Sequence, residues 1–306
     1  MSQRILYFLT PGDNISPFDV TLAADAGFDM VIPFTKVEPM KVAAMVQDAI
    51  FCRPPKRFND TGIFIGGRDV HLATDMFLNA KRAMVGPFEV GIFADPNGAY
   101  TTSASIVALV EQVLKAHSAN GLDGRKVAVF GTGPVGLCTA ILATKQGATV
   151  KLCQLVADDD ERAAKRFCDR YNVNVEWVSA QTQEERDKEI QDTEVVICAA
   201  RAGVRILERS LINATKLVVV ADTNAVPPSG VAGIGLNDLG TVADYFGTSF
   251  LSIGPLAIGN LKYKTQFGLF EKIQTSSEAA YIDFTDAYAF ALSVLEQQAI
   301  KLGKAV

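Results

Sequence analysis

The segment Gly131-Thr132-Gly133-Pro134-Val135-Gly136 follows directly on the apolar run at residues 126–130 and opens a helix-period stretch reaching about Gln146. A glycine triplet at this spacing between a strand and a helix has a physical reading. The first glycine permits a tight turn, the second lets backbone N–H groups approach a pyrophosphate, and the third lets the helix pack close on the strand. The helix N-terminus then faces the anion with its unpaired amides and its dipole. Pro134 suits that first turn because no N–H donor is needed there. The pattern alone is weak in a chain with 24 glycines, and a βα turn that binds nothing is the alternative. The flanking strand and helix favour a dinucleotide site made of Gly131, Thr132, Gly133, Pro134, Val135 and Gly136.

Around this loop the chain alternates short apolar runs with helical stretches. Runs at residues 5–9, 30–33, 62–66 and 90–94 read as strands of a first α/β unit, and runs at 126–130, 149–152, 173–178, 195–198 and 217–221 as strands of a second. Such alternation predicts parallel sheets covered by helices. After the turn-forming Asp95-Pro96-Asn97-Gly98, residues Ile106, Leu109, Val110, Val113, Leu114 and His117 share one helical face, with Thr101, Thr102 or Ser103 as its cap. Near the C-terminus Leu292, Leu295, Ala299 and Leu302 share another, with Gly303 near its stop. The expected fold is α/β in two domains. Residues 1–103 with 265–306 form an N-terminal α/β substrate domain, completed by a returning C-terminal helix, and 104–264 form a Rossmann-type, doubly wound dinucleotide domain.

Composition narrows the function. The net charge is −5, from 29 Lys and Arg against 34 Asp and Glu, and the charges are scattered, so the basic footprint of a nucleic-acid binder is missing. Five cysteines without Cys-x-x-Cys spacing point to reduced thiols, no metal site and a cytoplasmic setting. The first apolar run is halted by Pro11-Gly12-Asp13-Asn14, too early for a signal peptide or a membrane span.

Cofactor choice is normally read at the end of the second strand of such a unit, where an acid holds the ribose hydroxyls or an arginine a 2′-phosphate. Here that strand ends in Gln154-Leu155-Val156-Ala157. Gln154 can bond a ribose hydroxyl, Asp158 comes late for it, and Arg162 would have to reach back, so NAD and NADP both stay open. Histidines are scarce: His117 reads as structural on an apolar helix face and His71 is isolated. A dehydrogenase acting on an alcohol needs a proton base, so the shortage favours hydride loss from carbon without loss of an O–H proton. Asp19 follows the Ser16-Pro17 turn, where it is either a first-turn acid matched to the helix dipole or a site residue. The Asp95–Thr102 region and the loop Asp222-Thr223-Asn224-Ala225-Val226-Pro227-Pro228 both follow strands, on the side where open α/β sheets bind ligands. The glycine-punctuated stretch from Gly254 to Lys264 carries Asn260 and Lys262. Ordinary loop and surface roles are the alternatives for each.

These residues together resemble the nicotinamide-dependent methylene-tetrahydromethanopterin dehydrogenases of one-carbon-oxidising bacteria, related in fold to methylene-tetrahydrofolate dehydrogenases. The carriers are Ser16-Pro17-Phe18-Asp19-Val20, Asp25-Ala26-Gly27-Phe28, Thr61-Gly62-Ile63-Phe64-Ile65-Gly66-Gly67, Phe93-Ala94-Asp95-Pro96 with Thr101-Thr102, the run from Asn224 to Ile234, and Gly259-Asn260-Leu261-Lys262-Tyr263. The resemblance implies oxidation of the methylene bridge between two nitrogens of tetrahydromethanopterin, as co-substrate, with the hydride passing to NAD or NADP and the pterin held between the two domains. It further implies a homo-oligomer. Lys262 matches the family's site lysine. The product cation is delocalised over both nitrogens, so a carboxylate at Asp19 stabilises it while Lys262 orients the pterin. Asp95, Asn97, Thr101, Thr102 and Asn260 are the expected substrate-side residues. Gln154, Ala200, Asp222, Asn224 and Ala225 join the glycine loop on the cofactor side. A strictly NADP-dependent relative has an arginine at the position of Leu155, so strict NADP use is not expected here. Three other readings compete: a methylene-tetrahydrofolate dehydrogenase, a shikimate-like hydroxy-acid dehydrogenase using Lys262 with Asp95 or Asp222, and a dinucleotide sensor without turnover.

Overall fold

The computed structural model describes residues 3–157, 160–208, 214–245 and 247–301. Asp158, Leu302 and Gly303 lie outside the described residues. In chain order the first elements are β1 (Ile5–Leu9), α1 (Pro17–Asp25), β2 (Met30–Phe34), α2 (Val42–Phe51), β3 (Thr61–Ile65), α3 (Val70–Arg82), β4 (Gly91–Ala94) and α4 (Ala99–Lys115). There follow β5 (Lys126–Phe130), α5 (Pro134–Lys145), β6 (Thr149–Gln154), α6 (Glu161–Arg170), β7 (Glu176–Ser179), α7 (Gln183–Ile190), β8 (Val195–Cys198), β9 (Val219–Asp222), β10 (Leu239–Tyr245) and β11 (Thr248–Ile253). The chain closes with α8 (Pro255–Thr275), β12 (Tyr281–Ile282) and α9 (Phe284–Lys301). Residues up to Thr101 together with those from Tyr263 onward form one compact unit, and Thr102–Lys262 the other.

The first unit is built on a parallel sheet ordered β12-β4-β3-β1-β2. All five residues of β3 and all four of β4 are buried, as expected of strands covered on both faces. Gly62 and Gly91 are neighbours in register, and a Cβ at Gly91 would stand 2.7 Å from the Cβ of Ile273. Their bare backbone lets α8 lie close on the sheet. Phe270 of α8 then packs against Phe64 and Phe93, with ring centroids 5.1 and 5.2 Å away. On β2, Met30 N–H donates to Arg4 and the Phe34 carbonyl accepts from Thr10. Residues 30, 32 and 34 therefore turn to β1 and Pro33 turns outward, where its missing N–H costs no ladder bond and blunts the edge.

The second unit has the sheet order β10-β11-β9-β8-β5-β6-β7, parallel except for the β10/β11 hairpin. From β7 to β11 this is the doubly wound 3-2-1-4-5-6 order, whose switch point lies between β5 and β8. In α5 every residue from Gly136 to Ala143 is buried. A helix enclosed on all sides carries no amphipathic stripe, which is why Leu137-Cys138-Thr139-Ala140-Ile141 is apolar or small throughout.

Several boundaries differ from the sequence reading. The strand expected at 173–178 begins at Glu176, and the one expected at 217–221 runs Val219–Asp222, so Asp222 closes a strand instead of starting a loop. His117 is not on the apolar face of α4. It lies beyond the helix end, exposed, with its Nδ1 2.9 Å from the Val113 carbonyl. The cap of α4 is not Thr101, Thr102 or Ser103 but Asp95, whose Oδ1 accepts from Tyr100 N–H at 2.9 Å and Thr101 N–H at 3.2 Å. Asp95→Ala is expected to cost about 1–2 kcal/mol, as caps do, read as a lower urea midpoint.

Candidate active site

The glycine loop has the geometry its spacing demands. Gly131 takes φ +113°, and a Cβ on it would lie 2.6 Å from the Ala199 carbonyl at the end of β8. A Cβ on Gly136 would lie 1.9 Å from the Gly131 carbonyl. These two residues are glycine because backbone meets backbone. Gly133 differs: nothing stands within 4 Å of where its Cβ would be, it is exposed, and as N-cap of α5 it supplies no side-chain bond to the helix amides. An anion approaching the start of α5 would meet no side chain at this position. Thr132, Pro134 and Val135 are half-buried beside it, as is Ala200 beyond β8.

At the end of β6, Gln154 is half-buried and turns its amide toward the Ala157 carbonyl at 3.4 Å. Leu155, half-buried, packs against the core cluster that includes Phe130, Cys153 and Val196. Asp160 is committed as N-cap of α6, accepting from Ala163 N–H at 2.9 Å. That bond holds its carboxyl below the usual range, with Arg166 and Arg162 adding to the effect.

The loop after β9 is braced from within. Asp222, fully buried, accepts from Asn224 N–H (3.0 Å) and Val231 N–H (3.1 Å). Asn224 accepts from Gly203 and Val226 N–H groups at 3.1 and 2.9 Å and donates to the Pro228 carbonyl at 2.8 Å. Both side chains are thus engaged with the loop backbone, while Ala225 to Pro228 are exposed. Burial pushes the Asp222 carboxyl up, opposed by the amides of Asn224, Val231 and Gly230 and by the Cys198 thiol. Burial and the Asp222 charge likewise push that thiol up, so it stays protonated. A raised folded pKa favours the neutral acid, so its contribution is complete below about pH 3.9 and is lost as pH rises through the folded value. Against Asp222→Asn, wild type should lose unfolding free energy as pH climbs through that window, whatever constant offset the substitution adds; urea titrations at several pH values read this directly.

The first unit carries its own cleft, of about 520 Å³, at the carboxyl ends of β1, β3 and β4, lined by Thr10, Asn14, Ser16, Asp19, Arg68 and Asn97 among others. Its size suits a small molecule. Asp19, only 4% exposed, stands in the first turn of α1; Ser16 caps that turn by accepting its N–H at 3.3 Å. Gln266 Nε2 donates to the Asp19 carboxylate at 2.7 Å, fixing the acid from α8. Lys262, half-buried, precedes Gln266 by four residues, so helix geometry puts both on one face of α8. Asn260 is exposed and lies about 200° round the helix from Lys262, off that face. Asn97 lines the cleft in the left-handed region at φ +52°. Asp95 and Thr101 are fully buried, and the Thr101 hydroxyl donates to Asp95 at 2.6 Å. They shape the loop that presents Asn97, and Thr102 follows them half-buried in α4. Gln266, Arg68 and Asn14 were not singled out from sequence. The i+4 spacing from Lys262 and the Gly66-Gly67 pair after β3 were the available signals for the first two.

No helix among the described residues is long and apolar enough to cross a membrane, and no group of three or more His, Cys, Asp or Glu among them is arranged to hold a metal. Residues 17–97 match the family described as methylene-tetrahydromethanopterin dehydrogenase, N-terminal, and residues 108–214 match alanine dehydrogenase/PNT, C-terminal domain. The NAD(P)-dependent methylenetetrahydromethanopterin dehydrogenase of Methylorubrum extorquens is 40% identical over 299 residues, 96% of this chain and 99% of that protein. The chain belongs to the methylenetetrahydromethanopterin dehydrogenase family. A second protein of the same organism, the bifunctional protein MdtA, is 33% identical over 95% of this chain and 99% of its own length. Within this dehydrogenase family, Asp19, Arg68, Asp95 and Asn97 all fall in the stretch matched by the N-terminal description, and the glycine loop falls in the stretch matched by the other. The fold extends further: shikimate 5-dehydrogenase from Listeria monocytogenes, solved with shikimate and NAD, superposes with a TM-score of 0.52 at 13% identity, covering 96% of each chain.

Proposed function

We propose that this protein oxidises the methylene bridge of methylene-tetrahydromethanopterin to the methenyl form, with NAD or NADP as acceptor. The observation that carries the reading is Asp19: a buried carboxylate fixed by Gln266 and facing a cleft of substrate size. When bound at the glycine loop, the dinucleotide supplies the nicotinamide that accepts the hydride. The chain's own residues do the rest. Loss of hydride leaves positive charge spread over the two bridge nitrogens, and the preorganised Asp19 carboxylate favours that charge more in the transition state than in the ground state. Gln266 keeps the carboxylate from turning away. Lys262 orients the pterin from the same helix face, without contacting the carbon that becomes electron-poor. Asp222 and Asn224 stiffen the loop after β9 as a wall beside the cofactor, and Asn97 contacts the pterin at the cleft.

Both dinucleotides are accepted in this reading, because Leu155 packs against the core cluster and Asp160 is spent as a helix cap, leaving Gln154 as the ribose-side group. The five free cysteines, four of them buried, support a cytoplasmic setting, and the enzyme works as a homo-oligomer. The test is to mix the protein with methylene-tetrahydromethanopterin and either NAD or NADP and follow reduced nicotinamide and methenyl-pterin absorbance, then repeat with methylene-tetrahydrofolate. Turnover of the methanopterin form with both dinucleotides is the expected result. Silence with both pterins despite dinucleotide binding would sink the assignment and favour hydroxy-acid or sensing roles; turnover of the folate form alone would favour the folate reading.

A further inference from the structure

The cleft of the first unit is polarised. At its inner end Asp19 is 4% exposed and held by Gln266. At its rim Arg68 is exposed. The acids nearest Arg68 in sequence and along the cleft are already engaged. Asp69 accepts from the N–H groups of His71 and Leu72 at 2.8 and 3.0 Å as N-cap of α3, and Asp13 pairs with Lys36 at 3.2 Å. Arg68 forms no ion pair or hydrogen bond among the described residues. Its backbone is nevertheless fixed: Gly67 takes φ +109°, with room for a Cβ denied by Pro11 Cδ at 2.9 Å. A guanidinium without a partner among the described residues, on a sterically constrained turn at a cleft, is free to meet an anion, and its planar fork matches carboxylate or phosphate.

From this we infer that Arg68 reads the acidic tail of the one-carbon carrier, as the residue by which the enzyme tells the intact carrier from its pterin end alone. The inference rests on the proposed function: with the bridge placed against Asp19, the remote substituent of the carrier emerges at the rim. One-carbon carriers share the reacting centre and differ in that substituent, so a residue meeting it sets specificity without touching the chemistry.

The experiment compares kcat/KM for methylene-tetrahydromethanopterin with that for a fragment that keeps both bridge nitrogens but ends before the acidic tail, in wild type, Arg68→Gln and Arg68→Lys. The intact-to-fragment ratio should fall about tenfold in R68Q, through KM, with partial recovery in R68K, since an ammonium keeps the charge but not the fork. Raising ionic strength should shrink the wild-type ratio and leave the R68Q ratio flat. A ratio unchanged by R68Q, or indifferent to salt in wild type, overturns the role of Arg68 while leaving the dehydrogenase reading intact. Absence of turnover and of calorimetric binding with both substrates in wild type overturns the dehydrogenase reading, and the role of Arg68 with it.

Discussion

Asp19→Asn should lower kcat on the order of 10²- to 10³-fold, the range seen when one preorganised charge-stabilising group is removed from an active site. Asparagine keeps the shape of the side chain and an oxygen that can accept from Gln266, whose bond to Asp19 is 2.7 Å, so the substitution isolates the charge. The dinucleotide KM should stay within a factor of about two, because binding at the glycine loop does not involve this carboxylate, and the pterin KM should move less than kcat, since the charge it meets develops only in the transition state. Asp19→Ala should be no slower than the asparagine variant by more than a few fold if electrostatics carries the effect. Stopped-flow measurement of the first turnover separates this from a change in product release. A kcat for Asp19→Asn within a few fold of wild type would remove Asp19 from the chemistry and leave it as the first-turn acid of α1, the plainer role its position also allows.

The α/β class was legible because strand-length apolar runs alternate with helical stretches, and the glycine spacing fixed where the second unit's sheet begins. What escaped was whatever depends on contacts distant in sequence. The hairpin of β10 and β11 was not recognised: Leu239-Gly240-Thr241-Val242-Ala243 carries exposed Leu239 and Val242, so an edge strand exposing apolar residues breaks the alternation that signals a strand. Gln266 could not be read as a site residue because its meaning comes from Asp19, 247 positions away. Asp95 and Thr101 read equally well as loop acid and hydroxyl or as ligand contacts, and their mutual bond and complete burial, which hold the turn before α4, appear only in the folded chain. Leu155 reads in the sequence only by its identity at a selective position, whereas its partial burial against the core cluster that includes Phe130 and Cys153 depends on the folded sheet.

The glycine loop yields the other large expected effect, as a contrast between two alanines placed three residues apart. Gly136→Ala sets a methyl 1.9 Å from the Gly131 carbonyl. The obstacle is backbone, so either β5 and α5 separate or the loop is rebuilt. A destabilisation on the order of 3 kcal/mol is expected, the upper end of overpacking costs, with dinucleotide binding lost alongside. Gly133→Ala meets no protein atom within 4 Å, and its φ of −68° and ψ of −179° suit any residue. Its urea midpoint should therefore match wild type. Yet the added methyl occupies the space through which an anion reaches the first amides of α5, so the Kd for NAD or NADP should rise by about tenfold or more, equivalent to about 1.4 kcal/mol. Fluorescence titration of the dinucleotide, run beside urea unfolding on both variants, distinguishes the outcomes. If Gly133→Ala bound the dinucleotide as well as wild type, the pyrophosphate would have to lie elsewhere. The openness of Gly133 would then be no more than the exposed shoulder of a turn, and Gly131 and Gly136 would be glycines for packing alone.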